Sequence, residues 1–330
     1  MKQLKKSLLI LCLGVTSLTF GQDPEFTQFY ANPIYLNPAL SGSHGCPRVN
    51  FNYRNQWPSI PGAFITNTVS YDQYVNALHG GISVSMMNDM AGQNTINWNA
   101  LNAAYSYHLQ ASKKYSILFG AQVGWNQKFL NWNKLTFGDQ IDPRKGFIYQ
   151  TGDLPSGRVF DNGWGTKGFF DVSAGIVGYS DNFYFGVAAK HLNRPNETLI
   201  NSADPGSRLP MRFTAHAGAN IAVGQNSKYS NPMSISPNII YTYQGEFNQL
   251  NIGMYFKYAN FTAGAWLRPR DAFILSIGVD TGAFKFGYSY DITTSTLSNA
   301  SGGSHELSLG LNFNCKKPIQ KFRTISCPSF

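Results

Sequence analysis

The chain has 330 residues, a formal net charge of +9, only 13% charged residues, 15% aromatics and 32 glycines. Soluble globular domains carry about 25% charged residues, and disordered chains are charge-rich and aromatic-poor. The composition therefore excludes a disordered chain and argues against an ordinary cytosolic enzyme. Setting aside Lys2, Lys5 and Lys6 leaves +6 of that charge.

Those lysines precede an apolar run from Leu8 to Phe20, which is shorter than the roughly 20 residues that span a bilayer. Thr19 and Gly21 are the small residues expected before a cut ahead of Gln22. Residues 1–21 read as a cleaved secretory signal peptide. A lipoprotein anchor at Cys12 is excluded, because Leu11 stands where a small residue is required. No later window holds 18 uninterrupted apolar residues. Cys46, Cys315 and Cys327 remain after export, enough for one disulfide and one leftover thiol.

Residues 22–47 form a separate N-terminal segment rich in Phe, Tyr and Pro. Pro33 and Pro38 each follow an Asn, which disfavours both a helix and a regular strand. Four aromatics in ten residues from Phe26 to Tyr35 suit packing into a lumen, or across its mouth, rather than a mobile tail.

From residue 48 to 313 the period is two. Phe284, Phe286, Tyr288 and Tyr290 alternate with Lys285, Gly287, Ser289 and Asp291, and Leu307, Leu309, Leu311 and Phe313 with Glu306, Ser308, Gly310 and Asn312. Fourteen such segments lie near 48–57, 64–75, 80–89, 96–109, 114–128, 168–180, 182–191, 211–224, 233–243, 247–258, 260–268, 271–280, 282–292 and 304–313. Most have the length of a tilted transmembrane strand. The long connections, 131–167, 192–210 and 293–303, are the fifth, seventh and thirteenth gaps, all odd-numbered; several even gaps are tight. An up-and-down barrel puts odd and even connections at opposite ends, and outer-membrane barrels have long external loops. The pattern predicts an all-β transmembrane barrel of about 14 antiparallel strands with both termini periplasmic. A secreted β-sandwich also alternates, but here one face is small and polar, and the other carries aromatics at strand ends, such as Tyr115 and Trp125. Abundant Gly fits the crowded inner face of a narrow barrel.

Motifs for chemistry are weak. Gly163, Gly165 and Gly168 match G-x-G-x-x-G, but they lead from a long loop into a strand rather than into a helix, and read as loop flexibility. The six histidines show no metal-ligand spacing. Asp139, Asp142, Asp153 and Asp161 match no EF-hand pattern. No cofactor, metal or catalytic residue is called for. A surface lipase would need a Ser beside a His, with His216 and His305 as the inward candidates. Residues 314–330 form a basic tail. Its Lys316, Lys317, Lys321 and Arg323, with the terminal Phe330 and with Lys113, Lys114 and Lys228 in short turns, suit a periplasmic docking surface for an acidic partner or lipid headgroups. Nucleic acid is not a partner in that compartment.

Several stretches then carry a resemblance. Gln28, Tyr30, Asn32, Pro33, Asn37 and Pro38 stand in a Q-[FY]-Y-x-N-P-x-x-x-N-P-A pattern. Tyr53, Arg54, Gln56, Trp57 and Pro58 form Y-R-x-Q-W-P, followed by Tyr71 and Asp72 and by the ending Lys321 to Phe330. This combination resembles the PorP/SprF family of the type IX secretion system over nearly the whole mature chain. Cys46-Pro and the Cys-Pro-Ser-Phe ending resemble the SprF branch more than PorP. The resemblance implies a non-catalytic outer-membrane barrel of Bacteroidota, embedded among outer-membrane lipids. It implies binding and secretion or anchoring of a large surface adhesin for gliding, through the adhesin's C-terminal domain, together with type IX periplasmic or peptidoglycan-associated subunits. A transport barrel, either a porin or a hydrophobic-solute channel, is the competing reading.

On the residues themselves, Arg54 points inward if Val49, Phe51 and Tyr53 face lipid, and near Trp57 it would anchor a plug by bidentate and stacking contacts. Trp57-Pro58 should end the first strand in extended geometry. Strands one and fourteen are neighbours in a closed barrel. Cys46 is therefore expected to pair with a C-terminal cysteine, Cys315 first and Cys327 second.

Overall fold

The computed structural model describes residues 22–112, 114–131, 134–136, 138–148, 164–199, 208–223, 233–295 and 301–315. Fourteen antiparallel strands close on themselves: β1 (Arg48–Gln56), β2 (Phe64–Val75), β3 (Gly80–Ala91), β4 (Ile96–Gln110), β5 (Ser116–Asn131), β6 (Trp164–Tyr179), β7 (Phe183–Lys190), β8 (Arg212–Ala219), β9 (Met233–Gln244), β10 (Phe247–Tyr258), β11 (Phe261–Arg268), β12 (Ala272–Asp280), β13 (Phe284–Thr293) and β14 (Ser304–Asn312). Each pairs with its sequence neighbours, and β1 closes the barrel against β14 from Arg48↔Asn312 to Gln56↔Ser304. Near its end β8 breaks, and Ile221–Ala222 resumes the same register against β9. Opposite the break stands Pro237, which has no N–H to give to the ladder.

Alternation sets the two faces. Along β5 the odd residues Phe119, Val123 and Trp125 are exposed on the outside, while Ser116, Leu118, Gly120, Gln122, Gly124 and Asn126 are buried inside. The outer wall is apolar and the buried inner face is largely polar, inverting the usual order. The inner face is nevertheless not uniformly small and polar, as the sequence suggested. Leu118, Val177, Ile240, Trp266 and Ile274 point inward and form one apolar cluster.

The two longest connections, after β5 and β7, lie at one mouth, here the loop mouth; the short turns after β2, β4, β6, β10 and β12 lie at the other, the turn mouth. The wall is uneven. β4, β5 and β6 run 15 or 16 residues, whereas β7, β8 and β11 run eight. β6 begins at Trp164, earlier than expected, so Gly165 and Gly168 are strand residues rather than a flexible loop. At Gly168 the reason is steric: a Cβ there would stand 2.5 Å from the Trp125 ring.

Candidate functional site: a segment threaded through the lumen

The segment ahead of β1 occupies the barrel interior. Pro33 starts a single turn of helix (Pro33–Leu36), and Asn37 both closes that turn through its N–H to Pro33 O and caps the next one, its Oδ1 accepting Ala39 N–H at 3.0 Å. The two Asn-Pro steps thus make a compact, self-satisfied path. Its apolar side chains meet the apolar patch of the wall. Phe29 packs on Trp266 with ring centroids 5.0 Å apart, and Tyr30 lies edge-on to Tyr184 and Tyr255.

The base lies at the turn mouth. Gly42 donates its N–H to Asp72 Oδ2 at 2.8 Å, Arg48 pairs with the other oxygen of that carboxylate at 2.6 Å, and a disulfide joins Cys46 to Cys315. Further in, Ser41 and Ser83 share a hydroxyl contact of 2.8 Å, Ser106 donates to Ala39 O, and Asn37 Nδ2 reaches the carbonyls of Ile176 and Val187. Asn32 donates to Thr68 Oγ1 at 2.9 Å.

The tip is held by charge. Glu306, fully buried on β14, accepts the backbone N–H groups of Thr27 (2.7 Å) and Gln28 (3.0 Å) and the Thr27 hydroxyl, while Gln28 Nε2 returns to Glu306 O. Arg54 binds Glu306, Asp291 and Thr27 Oγ1 together. Beyond it, Arg212 on β8 pairs with Glu25 at 2.7 Å and reaches Asp23 at 3.5 Å. His191, in the loop after β7, bridges Asp23 and Asp171, each at 2.9 Å. Burial alone would strip the His191 ring of its proton, but the two carboxylates outweigh it and raise the ring to about 9; the same cations hold Asp23 well below the usual carboxylate range despite its burial.

Arg212, His191 and the end of β9 all belong to the loop mouth. The segment therefore runs the full length of the lumen. The expectation that both chain ends face one mouth fails for the first residues: β1 begins and β14 ends at the turn mouth, but Asp23 sits near the loop mouth. Charge complementarity with Arg212 and His191 explains why the tip rises that far. Gaps beside the segment are small, about 20 Å³ next to Phe26 and Thr242 and about 40 Å³ next to Asp23 and Gln122. Such volumes admit one or a few water molecules.

The structure brings Gln28, Tyr30, Asn32, Pro33, Asn37, Pro38, Arg54 and Asp72 together in the lumen. Tyr53 and Tyr71 face outward instead, Tyr71 donating to Gln73. Gln56, Trp57 and Pro58 lie at the rim of the loop mouth. Trp57 does not stack on Arg54. It packs edge-on against Phe64, donates its N–H to Gly303 O, and adopts φ 58 rather than the extended backbone expected before Pro58. His305 also differs from expectation: it faces outward, bonded to Tyr288, while His216 is buried in the lumen beside Asn37, so the two never meet. Lys316, Lys317, Lys321, Arg323, Cys327 and Phe330 lie outside the described residues, as do Lys113, Lys228, Asp153 and Asp161.

Sequence reasoning missed Glu306, Asp291, Arg212 and Asp23 as a set. A usable signal existed, because the strand charges fall on inward positions of their alternations, where an unpaired charge is not tolerated.

Comparison with known proteins places this geometry. A search of the curated proteins finds no match. Among solved structures, the Pseudomonas putida toluene transporter TodX is similar at 8% identity and TM-score 0.45, covering 85% of this chain and 93% of its own. A Pseudomonas aeruginosa FadL homologue is 12% identical with TM-score 0.42, covering 88% and 95%. The KdgM porin in complex with disordered oligogalacturonate is 7% identical with TM-score 0.39, covering 81% and 99%. The family model for type IX secretion system membrane protein PorP/SprF matches residues 18–311. The chain is an outer-membrane β-barrel that belongs to the PorP/SprF family of the type IX secretion system.

Proposed function

We propose that this barrel is non-catalytic and works by protein contact. It binds a large secreted adhesin through the adhesin's C-terminal domain, helps secrete or anchor it at the cell surface for gliding, and docks type IX periplasmic or peptidoglycan-associated subunits. The observation that supports this over transport is the lumen itself: among the described residues, 22–45 occupy it, and the two gaps beside them are water-sized. A lumen occupied in this way suits a barrel that contributes surfaces rather than a conduit. In this reading the turn mouth faces the periplasm, as short turns do in outer-membrane barrels. There the base of the segment, near Asn37, Pro38 and Asp72, and the basic tail with Lys316, Lys317, Lys321, Arg323 and Phe330 form the docking side. Affinity capture of the tagged full chain from detergent-solubilised outer membranes tests it. Recovery of an adhesin C-terminal region or of type IX periplasmic subunits is expected. Recovery of neither, with open-pore conductance, would shift the assignment to a porin or hydrophobic-solute channel.

A further inference from the structure

The outer wall of β2–β5 carries a row of amides across its apolar face. Asn67, Asn88, Asn99 and Gln127 all face outward and are consecutive partners across four strands, Asn67↔Asn88↔Asn99↔Gln127. Directly below this row, toward the turn mouth, a groove of about 420 Å³ is floored by Val69, Met86, Leu101 and Trp125. No charged side chain lines it. Asn88 spends both amide hydrogens inside the row, on Asn99 at 2.7 Å and on its neighbour Asn97 at 3.0 Å, which leaves its oxygen free to accept. Among the described residues, the side chains of Asn67 and Gln127 make no hydrogen bond.

The height of the groove follows from strand geometry. Tyr115, exposed just before β5, and Trp125 are ten residues apart on one outward face. At about 3.3 Å per residue and a tilt of about 40°, they stand about 25 Å apart along the membrane normal. That is the height of the apolar band of an outer-membrane barrel, which aromatic girdles flank. Trp125 thus marks the loop-side edge of the hydrocarbon, and the amide row sits just above it. A row of amides inside the hydrocarbon would be costly; at this level it meets the linkage region of lipids.

We propose that the groove is a lipid site that takes an acyl chain of lipid A from the loop-side leaflet, with the amide row bonding the amide and ester linkages at the head of that chain. The occupant is argued from continuity, since the floor is part of the lipid-facing belt. Its class is argued from chemistry. Asn and Gln side chains both donate and accept, which complements an acyl amide. A site for a lipid phosphate would carry Arg or Lys, and this one carries neither.

Native mass spectrometry of the full chain in mild detergent, titrated separately with lipid A and with phosphatidylethanolamine, tests the site. The wild type should hold one lipid A through detergent exchange. Asn67→Leu/Gln127→Leu, which removes the free amides, and Met86→Trp, which fills the groove, should each weaken that adduct at least tenfold, while weaker phosphatidylethanolamine adducts stay unchanged. Heat-dependent gel migration confirms that each variant still forms the barrel, and the two variants fail by different routes if either misfolds. Equal lipid A retention in the wild type and the folded variants would overturn the proposal. So would equally tight phosphatidylethanolamine binding, or a second protein chain co-purifying on this wall in place of lipid.

Discussion

Where the N-terminal segment enters the lumen, from Pro38 to Gly42, the wall comes up against its backbone. A Cβ on Gly120 would lie 2.3 Å from Ala39 N, and one on Gly81 would lie 2.6 Å from Gly42 Cα. Gly42 itself has φ +68, open to glycine at no cost. Where the segment ends, from Asp23 to Gln28, no described wall glycine packs against it, and Glu306, Arg54, Arg212 and His191 hold it. The base is fixed by shape and covalently tied through Cys46–Cys315; the tip is fixed chiefly by buried charges and the hydrogen bonds around them. A shape contact resists any movement but discriminates weakly by chemistry. A buried charge network holds only while every partner is present. The tip should therefore be the end that lets go first.

Glu306→Ala should give the largest effect. It strips three acceptor contacts from the tip and leaves Arg54 short of a partner in a buried site, a loss of about 3–5 kcal/mol. Protease sensitivity of residues 22–30 should rise at least a hundredfold, since each 1.4 kcal/mol is a tenfold change in the open population, while the heat-modifiable migration of the barrel persists. An unchanged cleavage rate would mean that charge does not hold the tip. Gly120→Val attacks the other end. Overpacking costs about 1–3 kcal/mol and should loosen Pro38–Gly42 in hydrogen exchange while leaving the tip near wild type. Loosening that spreads evenly along the segment would erase the distinction between the ends.

The smallest effect is expected from pH. The folded His191 titrates at about 9, above the ordinary histidine value near 6.5, so its contribution is complete below about pH 6.5 and is lost as pH rises through 9. Asp23 has the opposite sign: its carboxyl is depressed, so its contribution is present above about pH 4 and lost on acidification. Tip protection should fall between pH 6.5 and 9.5 in the wild type and lose that slope in His191→Gln. The change is small because Arg212 continues to hold Asp23 and Glu25.

The barrel was legible because a wall with lipid on one side and a packed lumen on the other writes its period into every strand. The parity of the long connections then ordered the two mouths. Arg54 could be placed inward from Val49, Phe51 and Tyr53 alone. The partners of Arg54 could not, since Asp291 and Glu306 are separated from it by 237 and 252 residues and meet it only through closure. Leu118 and Trp266 were overlooked for a related reason: along its own strand each sits among small or polar inward neighbours, and its apolar partners, Val177 for Leu118 and Ile274 and Tyr255 for Trp266, come from neighbouring strands. The left-handed Trp57 was unreadable because its geometry depends on Gly303, across the seam between β1 and β14.

Single-channel recording in planar bilayers tests the closed lumen most directly. The intact chain should insert without conductance steps, and a variant lacking residues 23–41 should show discrete, open-pore steps. Steps of the same size from the intact chain and the deletion variant would contradict a barrel sealed by its own N-terminal segment.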